Sequence, residues 1–222
     1  MRLDTGLCVV HLFCKPSPAV DREAVVAAVK AAEANECQVL TAAIVGHKCD
    51  LAVMALSPDL RGLRQLQSGL QAAGLDVVDS YVSITEVSEY AKGMPAEMLQ
   101  SRLYPNLPPD GMNAFCFYPM SKKRAGDDNW YLLDGPERAE LMRDHGRTGR
   151  RYAGKVSQIV TGSMGLDDWE WGVTLFSDDP LQFKKLVYEM RFDEVSARYA
   201  DFGPFYVGRR LRSDEIGRWL GE

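Results

Sequence analysis

The sequence lacks the long apolar run of a membrane-spanning helix: no stretch of its 222 residues approaches the roughly 20 consecutive apolar residues required. Its first residues, 1–7, lack the basic start, apolar run and small-residue cleavage site of a signal peptide. An excess of positive charge is also missing, since the formal net charge is −5. We therefore expect a cytoplasmic protein with no nucleic-acid partner and no membrane partner.

The familiar short catalytic motifs are absent too. The sequence has no GxGxxG, GxxxxGK[ST], GxSxG or HExxH, so the simplest support for nucleotide binding, serine hydrolysis and zinc proteolysis is missing. Its five cysteines form no CxxC pair and no zinc-type Cys/His spacing. Their odd number and apolar surroundings predict buried, reduced thiols.

What the sequence does contain is one order of elements, βαββαβ, found twice. In the first half we predict strands at 7–13, 38–45, 51–56 and 76–85, with helices at 19–35 and from a Ser57 cap to about 74. In the second half we predict strands at 113–118, 156–161, 171–176 and from 205, with helices from Asp134 to about 146–149 and from 177 to about 189.

The two series predict an α+β fold: two ferredoxin-like βαββαβ repeats that form a dimeric α+β barrel within one subunit. We place the first repeat and its linker at residues 1–106 and the second repeat at 107–222. The connector, about 88–111, is rich in proline, and its length suggests a functional role.

The second half carries the chemistry. Its segment 122–155 has nine basic and six acidic residues in an otherwise acidic chain, which fits either a solvated helix face or a site for a small polycarboxylate. His145 shares a helix face with Leu141 and Met142, so it is either a core histidine or a metal or haem-iron ligand. Tyr118 is either a packed tyrosine or a redox group. Gln158 places an amide on an apolar strand face, where it is either structural or directed at a ligand.

Together these residues lie in stretches that resemble the coproheme decarboxylases, the haem-synthesis branch of the chlorite dismutase-like superfamily. The resemblance covers about residues 102–210 and rests on 116–124, 129–133, 141–146, 149–154, 161–172 and 188–198. It implies a pair of ferredoxin-like repeats, a homopentamer and a peroxide-dependent enzyme. The implied reaction converts two propionates of iron coproporphyrin III (coproheme) to the vinyl groups of haem b, the substrate iron being the redox centre. A transient contact with a coproporphyrin ferrochelatase is also implied.

The resemblance also assigns roles. His145 would be the iron ligand, Tyr118 the residue oxidised to a radical, and Lys122 a catalytic lysine near the second reactive propionate. Substrate-binding roles fall to the following residues: Arg102, Met120, Gln158, Arg191 and Ser196. The alternatives are a chlorite dismutase or peroxidase, which the neutral Gln158 disfavours because chlorite dismutases place an arginine there, and a non-catalytic porphyrin carrier.

Overall fold

The computed structural model describes residues 1–91, 93–107 and 109–221. Within these ranges the strands are β1 (Cys8–Pro16), β2 (Gln38–Ile44), β3 (Leu51–Ser57), β4 (Leu75–Thr85), β5 (Ala114–Lys122), β6 (Ser157–Gly162), β7 (Trp171–Ser177), β8 (Ala200–Phe202) and β9 (Tyr206–Leu211). The helices are α1 (Arg22–Glu33), α2 (Leu60–Ala72), α3 (Ala96–Leu103), α4 (Gly135–Arg150), α5 (Leu181–Met190), α6 (Glu194–Tyr199) and α7 (Ile216–Trp219). None of the helices in these ranges has the length and apolar character needed to cross a membrane.

The element order confirms the duplicated α+β fold. The first repeat runs β1-α1-β2-β3-α2-β4, and the second runs β5-α4-β6-β7-α5-β9, with α6 and β8 inserted before the last strand. The predicted helix start at Asp134 is also confirmed, because its side chain accepts the backbone N–H of Glu137 at 2.8 Å. The division into 1–106 and 107–222 stays a prediction.

Four details of the predicted elements are wrong. Helix α2 begins at Leu60 and is capped by Asp59, because Ser57 is still part of strand β3. Helix α5 begins at Leu181 and not at 177, because Ser177 is still part of strand β7. The connector is not a plain linker, since it contains α3. The last strand is preceded by α6 and β8, and a six-residue helix and a three-residue strand are too short to show a periodicity.

The sheet closes on itself. Neighbouring strands in the described part follow the order β7-β6-β4-β1-β3-β2-β9-β5, and β5 also pairs with β7. Two seams join the repeats: β4 pairs with β6 at Ile84–Gly162, and β2 pairs with β9 from Thr41–Leu211 to Ile44–Gly208. β8 and β9 occupy successive parts of the same edge of β5.

One apolar core fills the barrel and draws on both repeats. Phe13 and Met54 from the first repeat lie in the same cluster as Phe117 and Phe176 from the second. A second cluster packs α1 and α2 against the outer face of the first repeat, through residues such as Val29 and Leu66. The five cysteines, all within the described ranges, are buried and free, as predicted.

Candidate active site on the outer face of the second repeat

Strand register places the predicted site residues of β5 and β6 on one surface. Tyr118 pairs with Val173 of β7, and Gln158 pairs with Leu175 of the same strand. Because paired residues of antiparallel strands point to the same side of a sheet, Tyr118 and Gln158 share the outer face of the barrel. Met120 belongs to the same cluster as Tyr118. We call this surface the C-terminal face.

The two repeats cover their outer faces differently. α1 buries Val25, Val29 and Ala32, whereas α4, described over all its 16 residues, has no buried residue. The sheet residues Gln158 and Val160 are correspondingly exposed, Val160 to 39%. The apolar strand face on which the sequence places Gln158 suggests a buried amide, but the side chain is exposed there and needs no partner within the protein.

The register also shows which residue of the first repeat corresponds to Tyr118. Cys8 pairs with Ser57, and Ala114 pairs with Ser177 at the equivalent strand ends, so Leu12 occupies the place of Tyr118. At this position the first repeat therefore has a leucine that packs under its helices, whereas the second repeat has the phenol of Tyr118.

His145 is oriented by a carboxylate that the sequence reasoning missed. Its Nδ1 lies 2.9 Å from Oδ2 of Asp193, and its side chain is 28% exposed. With Nδ1–H donating to the carboxylate, Nε2 keeps its lone pair for a metal ion. Asp193 caps α6 and also accepts the backbone N–H of Ser196 at 2.9 Å. Burial alone would raise the pKa of Asp193, but the His145 ring and the Ser196 hydrogen bonds outweigh it and lower the pKa.

Lys122 is a buried cation, only 8% exposed. Its Nζ lies 4.4 Å from the centre of the Trp130 ring, a cation–π contact, and its backbone N–H donates to Glu170 Oε2 at 2.7 Å. Burial lowers the pKa of Lys122 to about 8, although the carboxylates of Asp193 and Glu170 oppose the change. A buried ammonium of this kind gains from an anionic partner.

Tyr118 is held in an aromatic stack. Its ring lies 4.5 Å from the ring of Phe205, nearly parallel, and 5.9 Å from that of Phe202. The guanidinium of Arg191 lies 3.9 Å from the centre of the Phe202 ring. Burial raises the pKa of Tyr118, with Cys116 adding to the shift and Arg191 opposing it. The phenol is therefore protonated at neutral pH and can give up a hydrogen atom.

The structure gathers most of the predicted residues but not all. Lys122 contacts Trp130, which packs in one apolar cluster with Val195 and Tyr199 of α6, the helix that Asp193 caps. This packing brings the end of β5 and the His145–Asp193 pair together. Ser196 is buried one turn along α6. Arg102 is exposed in the last turn of α3.

The missed residues could have been found only in part. The spacing of Asp193 and Ser196 indicates a helix cap, but that Asp193 reaches His145 depends on how α6 packs against α4. Glu170, Trp130 and Phe205 acquire their roles through strand pairing and ring contacts that separate segments of the chain make.

The donor set fits a tetrapyrrole that brings its own iron. His145 offers one ring nitrogen, Nε2, while Asp193 holds the other, and a single imidazole nitrogen is a ligand that haem iron takes from proteins. The described residues contain no cluster of three His, Cys, Asp or Glu side chains that could hold a bare metal ion. Lys122 and Arg191 supply cations for carboxylates. Two cavities of about 390 and 740 Å³ lie around Trp169 and Glu170 and between α1 and β9, and neither is lined by Tyr118 or His145.

Fold and site together define a duplicated ferredoxin-like barrel with a histidine–carboxylate pair and a buried tyrosine on one outer face. The family model for chlorite dismutase matches residues 20–211. The chain belongs to the chlorite dismutase family.

Relatives within the family differ in how similar their sequences are to this chain. Two curated proteins named coproheme decarboxylase, from two strains of Thermus thermophilus, are 50% identical over 184 residues, which cover 80% of this chain and 73% of each relative. A solved structure described as a heme-binding protein from Thermus thermophilus gives a TM-score of 0.87 at 42% identity, covering 98% of this chain and 96% of that one. Chlorite dismutase from Candidatus Nitrospira defluvii gives 0.79 at 19% identity, with 99% and 97% covered, and shares the fold.

Proposed function

We propose that this chain is a coproheme decarboxylase, which uses hydrogen peroxide to convert two propionates of iron coproporphyrin III to the vinyl groups of haem b in haem biosynthesis. The observation that carries the proposal is the C-terminal face, where a buried, protonated Tyr118 shares one sheet strand with the buried cation Lys122. The 50% identity to proteins named coproheme decarboxylase supports the same reaction.

Binding would use the charges of this face. Nε2 of His145 would ligate the substrate iron, with Asp193 holding the ring. Lys122 and Arg191 would bind propionates, and Ser196 and Arg102 would add further carboxylate contacts. Met120 and Gln158 would line the pocket. Gln158 would lie beside the iron and would carry no charge there.

The bound substrate supplies the redox centre at which peroxide is reduced. The chain's part begins at Tyr118, which loses its phenolic hydrogen as one proton and one electron. The resulting phenoxyl takes a hydrogen atom from the propionate side chain and is phenol again. Loss of a second electron breaks the bond to the carboxylate, so that carbon dioxide leaves and a vinyl group remains. Each propionate thus gives up two electrons and consumes one peroxide, which becomes two waters.

The position of Lys122 supports the second decarboxylation. It lies four residues beyond Tyr118 on the same strand face, so a propionate bound to its ammonium is oriented along β5. Chlorite dismutation is less well supported, because Gln158 has no charge with which to stabilise an oxyanion. A porphyrin carrier without activity would need neither the phenol of Tyr118 nor its placement.

We also propose a cytoplasmic homopentamer that receives its substrate from a coproporphyrin ferrochelatase. The five free cysteines support a reducing compartment. Sedimentation of the purified protein would test the assembly, since a monomer contradicts the pentamer.

The decisive experiment follows porphyrin mass during a titration. The purified protein is loaded with iron coproporphyrin III, and hydrogen peroxide is added stepwise. We expect two successive losses of carbon dioxide, ending at haem b. Tyr118→Phe should bind the porphyrin and stop both steps, because phenylalanine has no phenolic hydrogen to give.

The matched control is Tyr152→Phe, since Tyr152 is a second buried tyrosine in the same apolar cluster. The Tyr152→Phe variant should still form both decarboxylation products. Tight binding followed only by bleaching of the porphyrin would contradict the decarboxylase proposal, and full conversion by Tyr118→Phe would contradict the role of Tyr118.

A further inference from the structure

Another buried tyrosine, Tyr206, lies at one end of the barrel interior, with its hydroxyl directed at a carboxylate. Tyr206 is 5% exposed, and its Oη donates a hydrogen bond to Oδ2 of Asp79. Its ring stacks on Phe13 at 3.7 Å, and the Nζ of Lys48 lies 5.4 Å from its centre. Asp79 itself is exposed. The pair therefore joins a phenol in the barrel core to a carboxylate in contact with solvent.

This pair lies next to Tyr118 through the sheet. Phe205, whose ring stacks on Tyr118 at 4.5 Å, directly precedes Tyr206 in the chain. Phe117, which directly precedes Tyr118, pairs with Tyr206 between β5 and β9. Tyr118 faces outward and Tyr206 inward, so their rings are separated by the thickness of one sheet with its side chains, on the order of 10 Å. The Lys48 ammonium donates a hydrogen bond to the carbonyl oxygen of Phe205 at 2.6 Å and so holds the chain just before β9 in place.

We propose that Tyr206 and Asp79 form an outlet that removes an oxidising equivalent from Tyr118 when no propionate is left to react. The inference rests on the proposed function, which supplies the Tyr118 phenoxyl through hydrogen peroxide. Tyr206 gives one electron to that phenoxyl and transfers its phenolic proton to the Asp79 carboxylate. Tyr118 takes one proton from water and is restored as a phenol.

The outlet is reset by a small soluble thiol. A thiolate gives one electron to the Tyr206 phenoxyl and leaves as a thiyl radical, while Asp79 returns the proton to Tyr206. Because Asp79 is exposed, this proton stays at the protein surface. Tyr206 can therefore be reduced and reprotonated without any opening of the barrel.

The partner of the hydroxyl distinguishes Tyr206 from the other tyrosine of the interior. Tyr81 is also buried, and its ring lies 5.3 Å from Phe117, but its hydroxyl bonds to the hydroxyl of Ser163. A carboxylate can hold the proton that an oxidised phenol releases, whereas a serine hydroxyl that already carries its own proton cannot. Tyr81→Phe is therefore a matched control within the same core.

The test traps radicals on the holoprotein. Protein loaded with coproheme is mixed with excess peroxide and a nitroso spin trap, and tryptic peptides are sequenced by mass spectrometry. We expect trap adducts on Tyr118 and on Tyr206. The Tyr206 adduct should be lost in Asp79→Asn, because an amide does not accept the phenolic proton, and should persist in Tyr81→Phe. Tyr206→Phe should bleach its porphyrin after fewer additions of peroxide than the wild type, and an added thiol should slow bleaching only when Tyr206 is present.

The outcomes separate the two proposals. If haem b forms and Tyr118 is trapped but Tyr206 is not, the outlet is overturned and the decarboxylase stands. An adduct on Cys49, which lies in the same apolar cluster as Tyr206, in place of an adduct on Tyr206 also overturns the outlet. An unchanged Tyr206 adduct in Asp79→Asn does so too. If no haem b forms and neither tyrosine is trapped, the proposed function itself fails.

Discussion

At the scale of single residues, the site contains a lysine whose pKa is lowered by burial. Lys122 contacts the Trp130 ring, and burial lowers its pKa from 10.5 to about 8. Between these values the unfolded chain binds more protons than the folded one, so the charged lysine costs stability below about pH 8 and this cost disappears as the pH rises towards 10.5. Substrate binding has the opposite pH dependence to stability. Only the charged form of Lys122 attracts a carboxylate, and this form is lost as the pH rises.

We predict that the affinity for iron coproporphyrin III falls as the pH rises through about 8, by up to about tenfold per pH unit. Absorbance titrations between about pH 6 and pH 10 would measure it. In Lys122→Arg the charge persists and the decline should vanish, whereas Lys123→Met should keep it. The same decline in Lys122→Arg would show that another group titrates.

A second titratable residue lies inside the barrel. His11 is completely buried, its Nε2 lies 2.9 Å from Thr174 Oγ1, and Nδ1 has no hydrogen-bond partner among the described residues. Burial lowers the pKa of His11 to about 3, so the folded state holds it neutral. The unfolded chain binds the extra proton between pH 3 and 6.5, and His11 therefore lowers stability as the pH falls through this range.

We predict that His11 accounts for acid destabilisation of at most about 5 kcal/mol, at ~1.4 kcal/mol per pKa unit. Urea unfolding at several pH values would show a shallower pH dependence in His11→Leu, whatever its stability at neutral pH. His47→Asn, which replaces an exposed histidine, should retain the wild-type slope. Equal slopes in all three proteins would contradict the role of His11.

At the scale of elements, local sequence predicts most strands and helices, because apolar periodicity and caps such as Asp134 are local signals. It also places Tyr118, Met120 and Lys122 on one strand face, which the register confirms. It does not show that Asp193 orients His145. The sequence separation of 48 residues gives no indication that α4 and α6 meet, since that contact is set by packing.

Strand β9 shows how tightly one element can constrain a neighbour. A Cβ built on Gly208 would lie 1.9 Å from the carbonyl oxygen of Ala43, so any side chain there forces β9 away from β2. We predict that Gly208→Ala costs about 3 kcal/mol or more of the free energy of unfolding, by opening a seam between the repeats. Thermal unfolding would measure it against Gly217→Ala, where the added Cβ meets only Val26 Cγ2 at 3.6 Å. An unchanged Tm in Gly208→Ala would contradict this account of the seam.

At the scale of the whole molecule, the two repeats are unequal in chemistry but inseparable in packing. The barrel core combines Phe13 and Met54 of the first repeat with Phe117 and Tyr206 of the second. The first repeat thus supplies part of the packed interior, and its own outer face is sealed by α1 and α2.

We predict that residues 107–222 expressed alone do not form the site, because the fragment would expose the inner faces of β5, β7 and β9 to water. Near-ultraviolet circular dichroism and coproheme titration of the fragment would test this, with co-expressed 1–106 as the control. Cooperative unfolding and binding by the isolated fragment would show that the repeats are independent domains.

Helix α4 has a consequence for how the protein behaves in solution. A helix whose side chains all retain solvent contact gains little from tertiary packing, which supplies most of the stability of helices in proteins. Its amide hydrogens should therefore exchange with deuterium earlier than those of α1, which buries Val25, Val29 and Ala32. A tetrapyrrole that His145 ligates, as proposed, would bind only the folded helix, so by mass action it would slow that exchange and raise the melting temperature as its concentration rises. Cellular lifetime would then follow substrate supply, with the chain degraded more quickly when porphyrin is scarce.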